Sequence, residues 1–341
     1  MSNRPLVFWL SLVCVMIFFM ALIGAVTRLT ESGLSITRWE PLTGAVPPLT
    51  QSDWNKTFDL YKHTPQYRAI HSGMSLPEFK TIYFWEWLHR LWGRLIGLVY
   101  AAGLIFFWAR GKIPNEHKGL LLAALVLGGL QGFVGWFMVQ SGLQAGMAAV
   151  SPYRLAMHLG LALILYGLLF IEILRLWPLP PWPAPTRRPD LRTHAWAGFA
   201  LLCAAMLWGV FTAGLDAGKI YNSFPLMDGQ MIPTDIAALR PFWRNLFENP
   251  AAAQLMHRAL TITTAILLLA LAGRFYFTAS GKPNRQMALA LGFFSLLQPA
   301  LGIATLLTGA NIALAVLHQA GAILLLSTML IVLYALQKTR A

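Results

Sequence analysis

The sequence predicts an all-α integral membrane protein with eight transmembrane helices, arranged as two pseudo-symmetric four-helix bundles. Of its 341 residues, 57% are hydrophobic and only 11% are charged, whereas charged residues make up about a quarter of a typical soluble domain. Several apolar runs also reach the ~20 residues that a helix needs to cross a bilayer. Finally, segments in the first half of the chain recur in the second half in the same order.

The apolar runs define the predicted spans. Backbone polar groups in lipid must be satisfied within their own segment, so each run is expected to be a helix. Cys14 and Cys203 both fall inside spans, which argues against a structural disulfide or a zinc site. The predicted spans are 6–26, 87–108, 118–140, 153–175, 195–215, 253–273, 287–308 and 313–336.

The basic residues predict the orientation of these spans. If the N-terminus is placed inside, half of the 26 basic residues but only three of the 13 acidic residues fall in inner segments. Short inner segments rich in Lys and Arg follow the positive-inside rule, so the basic excess does not indicate nucleic-acid binding. We expect a multi-pass protein of a bacterial cell inner membrane, with N- and C-termini cytoplasmic.

Four matched segments define the internal repeat, which is typical of duplicated membrane proteins. GAVTRLTESG (24–33) matches GVFTAGLDAG (209–218), and LQGFVG (130–135) matches LQPALG (297–302). Two further matches complete the series: LHR (88–90) with MHR (256–258), and AMHLGLALIL (156–165) with VLHQAGAILL (316–325). We therefore predict an N-terminal four-helix bundle over 1–176, a cytoplasmic Pro-rich linker over 177–194 and a C-terminal four-helix bundle over 195–341.

Four of the eight histidines belong to the repeat, namely His89, His158, His257 and His318. Each is expected near the outer end of a span. One interpretation is that they are hydrogen-bonding partners between helices. The other is that each half holds a heme between two axial histidines, because the surroundings lack the further ligands of a closed zinc site. Small residues nearby would leave room for a macrocycle or serve helix packing: Gly93, Gly97, Gly160, Ala259 and Gly321.

The two halves differ beside the first histidine of each pair. EWLH places Glu86 on the same helix face as His89, whereas QLMH places Gln254 there. A carboxylate could transfer protons to or from a bound group; alternatively, Glu86 forms a surface ion pair with Arg90. Arg90 and Arg258 are candidates for binding heme propionates, or else for anchoring lipid head groups.

Three segments together resemble the heme A synthase family, in its cysteine-free subgroup: 27–48, 78–94 and 222–229. The resemblance extends over about residues 10–335. It implies an enzyme that oxidises a methyl group of heme O to a formyl group by successive hydroxylations, giving heme A for terminal oxidases. Such an enzyme would use heme b as cofactor.

The family pattern implies a role for each candidate residue. His89 and His158 match the axial ligands of the substrate heme, His257 and His318 match the ligands of the heme b iron, and Glu86 matches the catalytic glutamate. Some members have a cysteine pair in the first outer loop, but residues 27–84 contain no cysteine, so the electron donor is left open. That loop is rich in aromatic residues, as expected for a lid or for an interfacial aromatic belt.

The implied partners are heme O itself, heme O synthase (protoheme farnesyltransferase), cytochrome oxidase assembly factors and an unidentified electron donor, with a homo-oligomer left open. Two other functions are compatible with parts of the pattern. A dihaem, quinol-oxidising electron-transfer cytochrome would share the histidine pairs, and a transporter would share the repeat. Transporters usually have broken helices at mid-bilayer, however, whereas these polar residues lie near one surface.

The distribution of basic residues generates a first testable prediction. A reporter fused after Arg340 should behave as cytoplasmic, and one inserted near Gly229 as periplasmic. Paired alkaline phosphatase and green fluorescent protein fusions measure this directly. The opposite pattern would contradict the eight-span arrangement and put the histidines on the inner side.

Overall fold

The computed structural model of the chain describes residues 3–40, 43–177, 189–278 and 281–337. Within these ranges the regular secondary structure is helical, without a β-strand. The α-helices, in chain order, are α1 (Arg4–Leu29), α2 (Gln51–Lys62), α3 (Pro65–Ala69), α4 (Leu76–Ala109), α5 (Asn115–Gly142), α6 (Pro152–Leu176), α7 (Pro189–Gly214), α8 (Asn245–Glu248), α9 (Pro250–Thr278), α10 (Lys282–Leu307) and α11 (Ile312–Gln337).

Eight of these helices are long and apolar enough to cross a membrane: α1, α4, α5, α6, α7, α9, α10 and α11. Each corresponds to one predicted span. The prediction of an all-α, multi-pass membrane protein with eight transmembrane helices is therefore confirmed.

The second transmembrane helix begins much earlier than the sequence predicted, at Leu76 rather than at 87. Ser75 and Glu78 form a capping box at its start, in which the Ser75 backbone N–H donates to the Glu78 carboxylate at 2.7 Å. Such a box satisfies backbone donors that would otherwise lack partners. Glu86 and His89 consequently lie several turns inside α4, not at its threshold.

The chain between α1 and α4 folds over an aromatic core of its own. We call α2, α3 and the first two turns of α4 the outer cap. The Phe79 ring stacks on Phe58 at 4.8 Å and on Tyr61 at 5.3 Å between ring centres, and all three side chains are buried. The sequence anticipated an aromatic-rich segment here but not its helices. That the cap acts as a lid stays a prediction.

The chain forms two compact units, each described here by itself. The N-terminal unit is Phe8–Tyr166, and the C-terminal unit contains the rest of the described residues. The boundary thus falls inside α6. Most of the predicted linker 177–194 lies outside the described residues, and the predicted division into 1–176 and 195–341 stays a prediction.

Tryptophans join α1 to α4 in the N-terminal unit. The Trp9 indole donates to the Val99 carbonyl at 3.0 Å, and the Trp92 indole donates to the Met16 carbonyl at 2.8 Å. Gly103 makes room for Trp9, since a methyl group at that position would lie 2.0 Å from the indole nitrogen. Each buried indole N–H thus finds a carbonyl acceptor on the neighbouring helix, as buried polar groups require.

The repeated sequence builds repeated local structure. Thr27 in α1 donates to the Trp85 carbonyl at 3.2 Å, and Thr212, its counterpart in α7, donates to the Ala253 carbonyl at 3.3 Å. Glu31 and Asp216 both adopt a left-handed backbone conformation with φ of 53°, which is uncommon outside glycine. The chain therefore leaves α1 and α7 through the same turn.

The burial of His71 in the outer cap predicts that the stability of the folded cap depends on pH. His71 lies 2.6 Å from the Tyr61 hydroxyl, and burial lowers the pKa of His71 from its usual 6.5, partly offset by Glu31. The folded cap therefore favours the neutral form of the His71 ring. The stability that the neutral ring contributes is fully present above pH 6.5, and it is lost as the pH falls through the lowered pKa of His71 in the folded state. Limited proteolysis of the cap should accelerate as the pH drops from ~7.5 to ~5.5.

The His71→Gln variant should lose this acceleration. His63→Gln is the matched control. Because His63 is exposed, its replacement should leave the pH profile unchanged. Cleavage of the wild-type cap at the same rate throughout this range would contradict the prediction.

Candidate functional site

Two histidines of the repeat lie close together in the C-terminal unit. The ring centres of His257 on α9 and His318 on α11 are 6.4 Å apart, with the ring planes at 80°. Metal–nitrogen bonds of ~2 Å on either side of one ion would separate two imidazole centres by about 6 Å. The spacing of this pair therefore suits a single metal ion held between the rings.

A backbone carbonyl orients one of these rings. Nδ1 of His257 lies 3.0 Å from the carbonyl oxygen of Ala205 on α7. Since a carbonyl only accepts, Nδ1 must carry the proton, which leaves the Nε2 lone pair available to a metal. Histidines that bind metals usually fix their tautomer in this way. The buried Nδ1 of His318 has no hydrogen-bond partner in the described part of the chain.

The second pair belongs to the N-terminal unit. His89 on α4 and His158 on α6 are near enough to interact electrostatically. Gln131 on α5 donates to the His158 carbonyl at 3.0 Å, as Gln298 on α10 donates to the His318 carbonyl at 2.8 Å. The His89 ring, however, makes no hydrogen bond to any described residue. The backbone anchor of His257 thus has no equivalent at His89.

Glu86 is almost completely buried, with 2% of its surface exposed. One carboxylate oxygen accepts from the Ser35 hydroxyl and from the Ile36 backbone N–H, both at 2.7 Å. The other accepts from the Arg90 guanidinium at 2.6 Å. The predicted pair with Arg90 therefore exists, but it is buried and not a surface ion pair. Glu86 also joins α4 to the segment that follows α1.

Gln254 occupies the equivalent position with the opposite hydrogen-bonding polarity. Its amide nitrogen donates to the carbonyls of Ala217 and Ile220 at 2.6 and 2.7 Å, and its oxygen accepts from Arg258 at 2.9 Å. Glu86 accepts hydrogen bonds both from the segment after α1 and from its arginine, whereas Gln254 donates to the segment after α7 and accepts from its arginine. Both side chains are buried and both fix the segment after the preceding transmembrane helix, but only Glu86 can titrate.

The two arginines also bind these segments. Arg90 donates to the Ile36 carbonyl at 2.9 Å, and Arg258 donates to the Tyr221 carbonyl at 2.8 Å. The Arg90 side chain is 15% exposed, and its contacts are with protein, which is unlike a freely solvated lipid anchor. Nε of Arg258 is buried and has no partner among the described residues, so it remains available to an acidic group such as a propionate.

The four glycines among the small residues noted in the sequence divide into two groups. Gly97 and Gly160 face open space, whereas Gly93 and Gly321 pack against the side chains of Met20 and Gln298. Sequence reasoning missed the glycines that actually contact the imidazoles. They lie on the neighbouring helices inside the matched repeat segments, so a comparison of the repeats would have found them: Gly24, Gly135, Gly209 and Gly302.

These surroundings fit a bis-histidine heme better than a closed metal site. The described residues contain no cluster of three or more His, Cys, Asp or Glu side chains that could hold an ion, whereas structural zinc needs four ligands. A heme iron needs two axial ligands, which each pair could supply. The unpartnered Nδ1 of His318 and Nε of Arg258 are polar atoms left available in the C-terminal site.

The whole chain is similar to a known group of membrane proteins. Residues 7–330 match the family described as cytochrome oxidase assembly protein, COX15-CtaA. A Heme A synthase of Rhodospirillum centenum is 48% identical over 337 residues, covering 98% of this chain and 89% of the relative. Heme A synthases of Agrobacterium fabrum and Sinorhizobium fredii are 43% and 42% identical, each covering 95% of this chain and 88% of the relative. The matched region extends from α1 to α11.

Proposed function

Because the chain belongs to the COX15-CtaA family of cytochrome oxidase assembly proteins, we propose that it is a heme A synthase. It would be a membrane oxidoreductase that oxidises a methyl group of heme O to a formyl group by successive hydroxylations. One structural observation carries this proposal. Two histidine pairs are built by the same local framework, and a buried carboxylate accompanies only one of them.

The two halves would have different roles. We assign heme b to His257 and His318 in the half 195–341, and heme O to His89 and His158 in the half 1–176. The hydrogen bond from His257 to Ala205 supports a permanently held group in the first case. In the described structure neither ring of the other pair bonds a backbone carbonyl, which supports an exchangeable group in the second case. The hemes would supply the redox chemistry, and the protein would position them.

Glu86 would handle protons beside the substrate. Oxidation of a methyl group through an alcohol to an aldehyde removes protons together with electrons, so a titratable group is needed nearby. Its two oxygens accept from Ser35, Ile36 and Arg90, which hold the carboxylate in one position. Arg90 and Arg258 would bind propionates with the N–H groups that the loop carbonyls leave free.

The proposed function also implies a membrane location and a set of partners. We place it in a bacterial cell inner membrane, with both termini cytoplasmic and both heme sites near the periplasmic side. Heme O synthase would supply the substrate, and assembly factors of cytochrome oxidase would receive heme A. The outer cap would shield the substrate site from water. The electrons would come from a donor that does not use cysteines of the first outer loop, since residues 27–84 have none.

The axial ligands provide a direct test of the heme b assignment. Replacing His257 or His318 by alanine should abolish or severely weaken the heme b signal, because the macrocycle loses an axial bond. Reduced-minus-oxidised spectra of the purified variants measure this. His89→Ala is the control and should retain the heme b spectrum. Normal heme b content in both His257→Ala and His318→Ala would refute the assignment.

Glu86→Gln should reduce heme A formation by ~10²–10⁴-fold, the usual cost of losing a positioned acid or base. Heme b should persist, because its ligands lie in the other half. The measurement is the ratio of heme A, heme O and the intermediate alcohol in a host that makes heme O.

Ser35→Ala is the control for the structural role of Glu86. It removes one hydrogen bond to the carboxylate, worth about 1.5–3 kcal/mol for a charged acceptor, but keeps the titratable group. Heme A should still form in this variant. Near-normal heme A in Glu86→Gln, or an equally severe loss in Ser35→Ala, would show that Glu86 only holds the segment after α1.

A further inference from the structure

Each histidine of the two pairs lies against a glycine of a neighbouring helix that carries no paired histidine. The glycines come from α1, α5, α7 and α10. An added methyl group would lie 3.2 Å from the His89 ring at Gly24, 2.9 Å from the His158 ring at Gly135, 3.0 Å from the His257 ring at Gly209 and 3.0 Å from the His318 ring at Gly302.

Three of these contacts share one geometry. At Gly135, Gly209 and Gly302 the nearest ring atom is Cε1, which lies between the two ring nitrogens. A side chain at any of these positions would therefore push against the ring edge that carries both nitrogens and would rotate or shift them. At Gly24 the nearest atom is Nε2 of His89, so that ring is turned relative to the other three. Neither His89 nor His318 has the bond from ring to backbone carbonyl that His257 makes.

One helical turn before three of these glycines, a residue on the same helix makes a hydrogen bond to the same histidine. Ala205 accepts from His257 four residues before Gly209. Gln131 and Gln298 donate to the carbonyls of His158 and His318 four residues before Gly135 and Gly302. Residues four apart share a helix face. Each of these helices thus contacts its histidine twice, through a hydrogen bond and through a glycine.

Close helix packing does not account for these positions. Glycine is among the poorest helix formers, yet these four recur at matching places in both halves of the repeat. On α5, Gly132 has nothing within 4 Å of an added methyl group, whereas Gly135 three residues later would collide with His158. On α10, an added methyl at Gly292 makes an ordinary contact at 3.7 Å. In each of these two comparisons, the glycine that lacks room for a methyl group is the one that lies against an imidazole.

We propose that Gly24, Gly135, Gly209 and Gly302 are positioning residues, which set the angle at which each imidazole is presented to its heme iron. This rests on the proposed function, which supplies the heme. An imidazole without a metal can swing aside from an added methyl group. A ligated imidazole cannot, because the iron fixes its nitrogen, so the crowding would strain the bond between iron and nitrogen.

The test compares Gly209→Ala and Gly302→Ala with Gly292→Ala and Gly132→Ala. Purified holoprotein is mixed with a heme-scavenging apoglobin, and the rate of heme b loss is followed by absorption. The first two variants should lose heme b about 10–100-fold faster than wild type, the usual range for residues that orient a metal ligand. Their heme b midpoint potential should also shift. Both control variants should match wild type.

Thermal unfolding of the same variants after removal of heme separates positioning from packing. The apoproteins of Gly209→Ala and Gly302→Ala should melt at or slightly above the wild-type temperature, because the free rings can move and alanine favours the helix. If these apoproteins are destabilised as much as Gly198→Ala, which collides with Leu268, or if heme loss is unchanged, the positioning role is overturned. Wild-type protein purified without any heme would instead overturn the proposed function, and this inference with it.

Discussion

Two imidazoles can share one metal ion only if both rings are held at the right separation and angle, and the proposed heme sites depend on that requirement. A histidine side chain in an apolar helix bundle has few polar neighbours to fix it. Here Ala205 accepts from the ring of His257, and Gln131 and Gln298 donate to the backbone carbonyls of His158 and His318. The glycines opposite the rings leave room for them, so a helix other than its own lies against each ring.

The duplicated framework carries different chemistry in its two halves. The turn after α1 and the turn after α7 have the same backbone conformation at Glu31 and Asp216, and each is fixed by a buried side chain on the next transmembrane helix. That side chain is Glu86 in one half and Gln254 in the other. Their hydrogen bonds have opposite polarity, and each side chain matches the groups of the loop that it contacts. A buried titratable side chain therefore stands at only one of these two equivalent positions, although the turns have the same φ.

The eight transmembrane helices and the histidine pairs followed from the sequence, because apolar length and an internal repeat are local signals. The early start of α4 did not, since EFKTIYFW mixes charged and aromatic residues and resembles an interface more than a span. The burial of Glu86 depends on Ser35 and Ile36, about fifty residues away in the chain, and no periodicity predicts such a contact. The glycines were visible in the repeat, but only the structure shows that their missing side chains leave room for imidazoles.

In the proposed function, two sites of common design hold different hemes, one resident and one that is transformed. The most direct measurement is to extract the pigments of the purified protein and identify each heme by chromatography and mass. Heme b together with heme O or heme A in the wild type, and heme b alone when both His89 and His158 are replaced, is the predicted result. Chemically unchanged heme b in both sites would contradict the claim and indicate an electron-transfer cytochrome.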